Sequence, residues 1–452
     1  MVSDVPFGLP EQKSEERIKL ENRLKELNKS LIVDDLITIL GSTVKRDDEN
    51  KAITLVSMLL TYTEEDQINI GFLAESSTGK SYIPLELSWY FPKEDVMKLG
   101  YASPTAFFHE HGELRSDPID KRDVPDEKKR KILYVDLKQK IVIFLDQPHD
   151  QLLQRLRSLL SHDEKNITLK ITDKREKFGL KTKTVVIEGY PTVIFCTARF
   201  SMADQEKTRL LLLSPEISQE KLKESIRLRI EKESDRQAFQ NRIENDPLRR
   251  LLAQRIEDIK NAKIKYINVP DELKEQINQQ FIEDHKFLIP RHQRDISRLE
   301  AIIKGYALLN FNHRKRVEDS IIVTLEDVEV GFRLYYAVSE ANELGLSPEI
   351  YNILKKLKPC IEEKEDLGIS ISEFQIAYSK EFHKRLGYNE ARNILKTLCS
   401  VGLLTEINDP SDKRLRRYII LQLGVNSETS YPQVPNNIVS ESDVQKTLGD
   451  ST

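Results

Sequence analysis

Cysteine is scarce in this chain of 452 residues: Cys196, Cys360 and Cys399 stand far apart and form no C-x-x-C pair. That spacing excludes a disulfide framework, argues against a zinc site, and points to a reducing, cytoplasmic compartment. The eight histidines show no ligand spacing either. No apolar run approaches the roughly 18 residues of a membrane span. The start, MVSDVPFGLPEQKSEER, lacks the basic-then-apolar pattern of a signal peptide, so a non-membrane protein is expected. Excess charge is missing too. Lys and Arg number 70 against 74 Asp and Glu, a net charge of −4, so any nucleic-acid contact must be a local basic patch. There is no internal repeat. What is there, 39% hydrophobic and 32% charged residues, is enough for about two or three domains.

The most informative stretch is residues 68–81, INIGFLAESSTGKS. Ile68–Leu73 reads as a buried strand interrupted only by Asn69 and Gly71, and the following IPLELSWYF can form a helix. Strand, small-residue loop and helix in that order are the context of a phosphate-binding loop. Backbone N–H groups of Glu75, Ser76, Ser77, Thr78 and Gly79 would converge on phosphate. Lys80 supplies a point charge near the outer phosphates, and the Ser81 hydroxyl can hold Mg²⁺. Ala74 stands where the first glycine of G-x-x-x-x-G-K-[ST] is usual.

Around this motif the chain divides by pattern. Residues 1–34 are a helical N-terminal extension, with Leu20, Leu24, Leu27 and Leu31 at helical spacing; 35–215 alternate short apolar strands with helices, which predicts an α/β core on a parallel sheet. Within it, 115–131 read as a solvated charged loop and 132–150 as two apolar strands about a Lys-Gln-Lys turn. Residues 165–188 alternate with period two on both sides of a Gly179 turn, a β-hairpin signal in which Leu169 and Ile171 oppose Thr168, Lys170 and Thr172. Residues 216–345 read as a helical lid, including one long charged helical stretch over 217–262. Residues 346–424 read as helix, turn near Gly387, helix capped by Asn389, and a basic-tipped hairpin, an order that fits a winged helix. The tail, 425–452, is Ser-, Asn- and Asp-rich and expected to be disordered.

A phosphate-loop ATPase also needs an acid on a neighbouring strand to position Mg²⁺ through water, and KIVIFLDQ offers Asp146. Gln147 follows where many ring ATPases place a water-activating Glu. Either Gln147 orients the water, or Asp150 serves, or turnover is slow. The strand TVIFCTA ends in Thr197, placed as a γ-phosphate sensor. Arg209 precedes another apolar strand, where oligomeric ATPases carry the arginine that reaches a neighbour's nucleotide, and Arg291, Arg294 or Arg298 could contact the phosphates from the lid. In this order the chain resembles AAA+ ATPases of the helicase clade that carry a hairpin just before the sensor strand. It is similar to minichromosome maintenance helicases, and closer to the replicative helicases of plasmids, viruses and mobile elements. The resemblance covers roughly 35–330 and the winged helix. It rests on AESSTGKS, KIVIFLDQ, RLRSLLS, VIFCTA and RHQRDISRLEAIIKGYALLNFNHR, with Ala74 and Gln147 departing from the usual pattern.

The resemblance implies ATP and Mg²⁺ as cofactors, with Asp146, Gln147, Thr197, Arg209 and Arg294 catalytic, and Ser81 and Asp146 at the metal. It also implies a homo-oligomer, a hexamer, and DNA as partner. The hairpin would project into the ring channel and track single-stranded DNA through Lys174, Arg175, Lys177, Phe178 and Lys181: lysines neutralise phosphates without reading bases, and an aromatic tip can stack. Arg392 and Lys396 on the second winged-helix helix, with Lys413, Arg414 and Arg416 on the wing, would meet duplex DNA. The leading expectation is an ATP-driven DNA helicase or translocase. Two alternatives remain open: an ATP-switched DNA-binding initiator or loader, and a regulatory ATPase whose winged helix docks a protein.

Overall fold

The computed structural model of the chain describes Lys19, Glu21, Asn22 and residues 30–74, 77–100, 112–116, 125, 131–146, 148, 150–162, 164–173, 181–197, 209–285, 288–364, 367–412 and 414–421. It divides into two compact units, Met1–Asn352 and Ile353–Thr452.

The first unit opens with α1, Val33–Leu40, and α2, Asp48–Leu59, which is buried from Lys51 to Leu59. The buried Lys51 ammonium is fully bonded, to Asp48 Oδ1 at 2.6 Å, the Arg46 carbonyl at 3.1 Å and the Val44 carbonyl at 3.4 Å, which offsets the cost of its burial. Then come β1, Ile70–Leu73; α3, Tyr82–Leu87; β2, Val96–Leu99; β3, Gly112–Ser116; β4, Lys131–Asp136; β5, Ile141–Phe144; α4, Asp150–Leu160; β6, Asn166–Asp173; β7, Lys181–Glu188; β8, Thr192–Thr197; and β9, Leu211–Leu213.

Five of these strands make an all-parallel sheet in the order β2-β5-β8-β1-β9. Because both faces are covered, its strands are apolar throughout, and alternation only decides which cover each side chain meets. Ile70, Phe72, Ile141, Ile143, Ile194, Cys196, Leu211 and Leu213 face the helical side, where α2 and later helices pack. Leu73, Val142, Phe144, Val193, Phe195, Leu210 and Leu212 face α4 and a second sheet. That second sheet, β3-β4-β7-β6, contains the expected hairpin: β6 and β7 pair antiparallel from Asn166 opposite Glu188 to Asp173 opposite Lys181. Ile167 is buried while Thr168 and Lys170 are exposed, as the alternation predicts.

One expectation needs correction here. The charged run read as loop has strand at both ends, since Arg115 belongs to β3 and Lys131 to β4. Leu114 on β3 is 73% exposed and the Arg115 guanidinium lies 3.7 Å over the Tyr134 ring, so this edge strand hides no apolar face that a pattern could reveal. The two strands about the Lys-Gln-Lys turn are present as read, and they belong to different sheets. β4 runs parallel to β7 and β5 parallel to β8, so two neighbouring segments cross together from the second sheet to the core sheet. Gly189 sits at this crossing with φ +97°, and a Cβ there would lie 2.7 Å from the Lys138 nitrogen.

Beyond β9 follow α5, Gln219–Ser234; α6, Arg236–Glu244; α7, Pro247–Ala262; β10, Tyr266–Asn268; α8, Asp271–Glu283; α9, His292–Leu309; β11, Arg316–Val317; β12, Ser320–Ile322; α10, Leu325–Glu343; and α11, Pro348–Glu362, which passes into the second unit. The stretch 217–262 is three helices rather than one. Asp235 and Asp246 break it because each caps its successor: Asp235 Oδ1 accepts from the Ala238 N–H at 2.8 Å, and Asp246 Oδ1 from the Leu248 N–H at 3.0 Å ahead of Pro247. This region is not wholly helical, for β10, β12 and β11 form a small sheet. Strands of two or three residues are too short to show a period.

In the second unit, β13, Ile369–Ser370, precedes α12, Ile371–Phe382, α13, Tyr388–Ser400, β14, Leu404–Asn408, and β15, Arg416–Ile420. The sheet order is β13-β15-β14, antiparallel throughout. α13 begins two residues earlier than expected. Gly387 is its N-cap and Asn389 lies in the first turn, with the Glu390 carboxylate reaching back to the Gly387 N–H. Arg417 knots the unit, donating to Asp409 Oδ2 at 2.5 Å, the Gly368 carbonyl at 2.9 Å and Glu373 Oε2 at 3.2 Å. Arg417 first, and then backbone N–H groups, hold the Asp409 carboxyl below its ordinary range. Burial pushes Glu373 up, but bonds from Ser370 and the nearby Lys364 and Arg417 outweigh it and lower its pKa.

Two predictions follow from this packing. Gly189→Ala should lower stability in urea unfolding by about 2 kcal/mol or more, whereas Gly100→Ala, where a Cβ meets nothing within 4 Å, should change it little. Asp409 and Glu373 have folded-state pKa values below their unfolded ones. Their contribution is therefore full above about pH 4 and is lost as pH falls through the lowered values. The melting temperature should drop over that acid range, and less steeply in Arg417→Met; identical slopes would contradict the assignment.

Candidate functional site

The carboxyl ends of the parallel strands bring together the residues that the motif singles out. β1 lies between β8 and β9, with Leu73 opposite Thr197, and the Ala74 N–H donates to the Thr197 carbonyl at 3.3 Å. β8 in turn lies between β1 and β5, and extending the pairing of Phe144 with Phe195 puts Asp146 level with Thr197. The chain leaves β1 for the far edge strand β2 and later crosses from β8 over β1 to β9, so the connections diverge at β1, the kind of switch point at which ligands usually bind on an open parallel sheet.

The loop after β1 takes left-handed backbone at two of its described residues. Ser77 and Gly79 both have positive φ, +68° and +94°, and nothing lies within 4 Å of a Cβ at Gly79, so glycine is wanted there for its conformation and not for space. The Gly79 carbonyl accepts from Tyr82 and Ile83 N–H groups at 3.0 and 3.3 Å, which starts α3 directly after Ser81. Ser81 is the N-cap residue, and its hydroxyl makes no capping bond. The Ser81 hydroxyl, beside Lys80, and the exposed Asp146 carboxylate, two residues past β5, are oxygen donors of the kind Mg²⁺ takes, an ion that keeps several waters and needs few protein ligands. Lys80 and Thr78 are half-buried, while Thr197 is wholly buried.

Two residues to which the sequence reading gave no role support the sheet, Cys196 at this end and Asn69 at the opposite one. The Cys196 thiol contacts the Lys80 carbonyl at 3.6 Å, and burial pushes its pKa up to about 12, with the Lys80 charge acting the other way. Asn69, the polar interruption in the β1 run, is buried: its side chain donates to the Leu160 carbonyl at 3.0 Å and accepts from the Val193 N–H at 3.1 Å. A polar side chain in an otherwise apolar strand was the available signal.

Arg209 is elsewhere. It precedes β9, whose Leu211 lies opposite Ile70 at the start of β1, so it stands at the amino end of the sheet, where its Nε donates to Ser161 Oγ at 2.6 Å. Of the lid arginines, Arg291 and Arg298 are used within the fold, at 3.3 and 2.6 Å from the fully buried Asp295 carboxylate, whereas Arg294 is exposed on the first turn of α9. Glu75, Ser76, Gln147, Lys174, Arg175, Lys177, Phe178 and Lys413, with the side chains of Asp150 and Lys181, lie outside the described residues. Arg392 and Lys396 are exposed on α13. Arg414 is paired with Asp412, and Arg416 with Glu406, both at 3.1 Å.

Compared with protein-family models and with curated proteins, the chain finds no match. No helix among the described residues is long and apolar enough to cross a membrane.

The raised Cys196 pKa and its burial predict protection from alkylation. Iodoacetamide at pH 8 should label the half-buried Cys360 and Cys399 first, with Cys196 reacting only on unfolding, as read by mass spectrometry of the tryptic peptides.

Proposed function

We propose that the chain is an ATP-driven, ring-forming DNA translocase or helicase of the AAA+ type, acting as a homo-oligomer, a hexamer by the resemblance above. The observation that supports this reading is that the motif residues and Arg209 fall at opposite ends of one sheet. Lys80, Ser81, Thr197 and Asp146 gather at the carboxyl end, and Arg209 lies at the amino end. From the level of Arg209 to the loop is about six residues of strand, roughly 20 Å. An arginine so placed does not reach the phosphates held by its own loop, but in a head-to-tail ring it faces the nucleotide of the next copy.

In this reading the loop backbone and Lys80 bind the outer phosphates, and Ser81 and Asp146 hold Mg²⁺, which neutralises charge on them. Thr197, on the strand between Lys80 and Asp146, senses the terminal phosphate. The β6–β7 hairpin, its base packed on α4, carries the basic segment 174–181 to single-stranded DNA. The succession helix, strand, helix, helix, strand, strand in the second unit, with its antiparallel sheet, supports the winged-helix reading, and the exposed Arg392 and Lys396 suit duplex contact. Arg414 and Arg416 must first give up Asp412 and Glu406.

The test is the steady-state ATPase rate at low salt, with and without single-stranded and duplex DNA. We expect a several-fold rise with DNA, loss of all turnover in Lys80→Ala, and loss of stimulation alone when Lys174, Arg175, Lys177 and Lys181 become Ala. A slow rate indifferent to DNA with tight ATP binding retained contradicts the motor and favours an ATP-controlled switch.

A further inference from the structure

We propose that His285, His292 and Glu343 form a transition-metal site, best suited to Zn²⁺, that locks the connection between α8 and α9 to the end of α10. No ligand spacing is visible in the sequence because the three residues come from three helix ends. The fold brings one ring nitrogen of each histidine and a Glu343 carboxylate oxygen within 4.8 Å of one another. The cluster is apart from the phosphate-loop residues and does not depend on the reading given to them.

The geometry around His285 carries the argument. Its Nδ1 lies 2.6 Å from the Phe281 carbonyl, which can only accept, so Nδ1 carries a hydrogen and Nε2 is the nitrogen aimed at the cluster. Nε2 lies 3.1 Å from Glu343 Oε1. A proton on Nε2 satisfies this contact, and a metal ion bound about 2 Å from each atom would take that proton's place at the same separation. A backbone carbonyl on the far nitrogen is also how metal-bound imidazoles are usually oriented. His292 completes the set: its ring centroid is 4.2 Å from that of His285, and the residue is 7% exposed. Its present partner is a long contact, the Ile289 N–H to Nδ1 at 3.3 Å, which gives way whichever nitrogen binds the ion. The buried Phe281 ring, centred 4.4 Å from the His285 ring and 6.0 Å from that of His292, covers one side of the cluster, while His285 and Glu343 stay half-buried. Two imidazoles and one carboxylate are the N/O set of Zn²⁺, with a fourth position left for water.

The placement gives the ion a task. Glu343 follows Asn342, whose side chain exchanges two hydrogen bonds with the backbone of Leu212 on the edge strand β9, at 2.8 and 2.9 Å. His292 starts α9, whose first turn carries Arg294. A metal on His285, His292 and Glu343 therefore ties the arginine-bearing turn to the core sheet through two successive residues of α10.

The experiment uses the full chain, stripped with chelator and free of nucleotide and Mg²⁺. Zn²⁺ is titrated against a chromophoric chelator, and Co²⁺ is added separately to read its visible ligand-field bands. We expect one equivalent of Zn²⁺ per chain and cobalt bands typical of low coordination number. His292→Gln and Glu343→Gln should each weaken binding by at least about tenfold, while His383→Gln, at an exposed histidine outside the cluster, leaves it unchanged. The wild-type cobalt spectrum decides the matter even where a variant does not fold. Failure to bind either ion, or binding that survives both cluster substitutions, overturns the proposal.

Discussion

The register of β1 between β8 and β9 is the constraint from which the rest of this molecule follows. Parallel strands send all their carboxyl ends to one side, so residues that follow β1, β5 and β8 meet there although they are far apart in the chain. The same rule sends whatever precedes β9 to the other side, which fixes Arg209 beside Ser161. Asn69 secures the arrangement from the amino end, joining β1 to α4 and β8. Asn342 secures the edge, satisfying the free backbone groups of Leu212 on β9 that would otherwise be left buried without partners. Both asparagine side chains are buried, and each bonds through its oxygen and its nitrogen. Apolar burial drives the sheet together, and such directional contacts select one register for it.

Much of the α/β core was legible because its signals are local. The Ile70–Leu73 strand, the small-residue loop with Gly79, and the apolar strands ending near Asp146 and Thr197 are visible in runs of six to eight residues. The hairpin was legible for the same reason, its period of two surviving in Ile167, Thr168 and Lys170. What was not legible depends on distant pairing. Nothing within 132–150 says that its two strands serve different sheets, because that outcome rests on β7 and β8 making the same crossing beside them at Gly189. β3 was lost for want of an apolar face, and the strands β10, β11 and β12 for want of length. The histidine cluster was out of reach because its members are seven residues and then a whole helix pair apart.

Arginine usage is a second lesson in what a sequence conceals. Arg291, Arg294 and Arg298 are equivalent candidates on paper, yet Asp295 takes up two of them and leaves Arg294 on the exposed face. In the second unit Arg417 is the hub of a structural knot, and the neighbouring Arg414 and Arg416 are paired with carboxylates on the same hairpin. Positive charge in a sequence counts toward a nucleic-acid surface only after the carboxylates that the fold places beside it are subtracted. For the proposed DNA contacts this shifts the weight toward Arg392 and Lys396 on α13.

The central claim, that a working site is completed only between two copies, can be tested by mixing. Lys80→Ala removes the charge proposed to bind phosphate but keeps Arg209, and Arg209→Ala does the reverse, so each should be inactive alone. Combined in equal amounts and allowed to exchange subunits, they should recover about a quarter of the wild-type ATPase rate, the share of head-to-tail interfaces that pair two intact halves under random mixing. Activity of Arg209→Ala alone, or no recovery in mixtures shown to assemble together, would contradict the account.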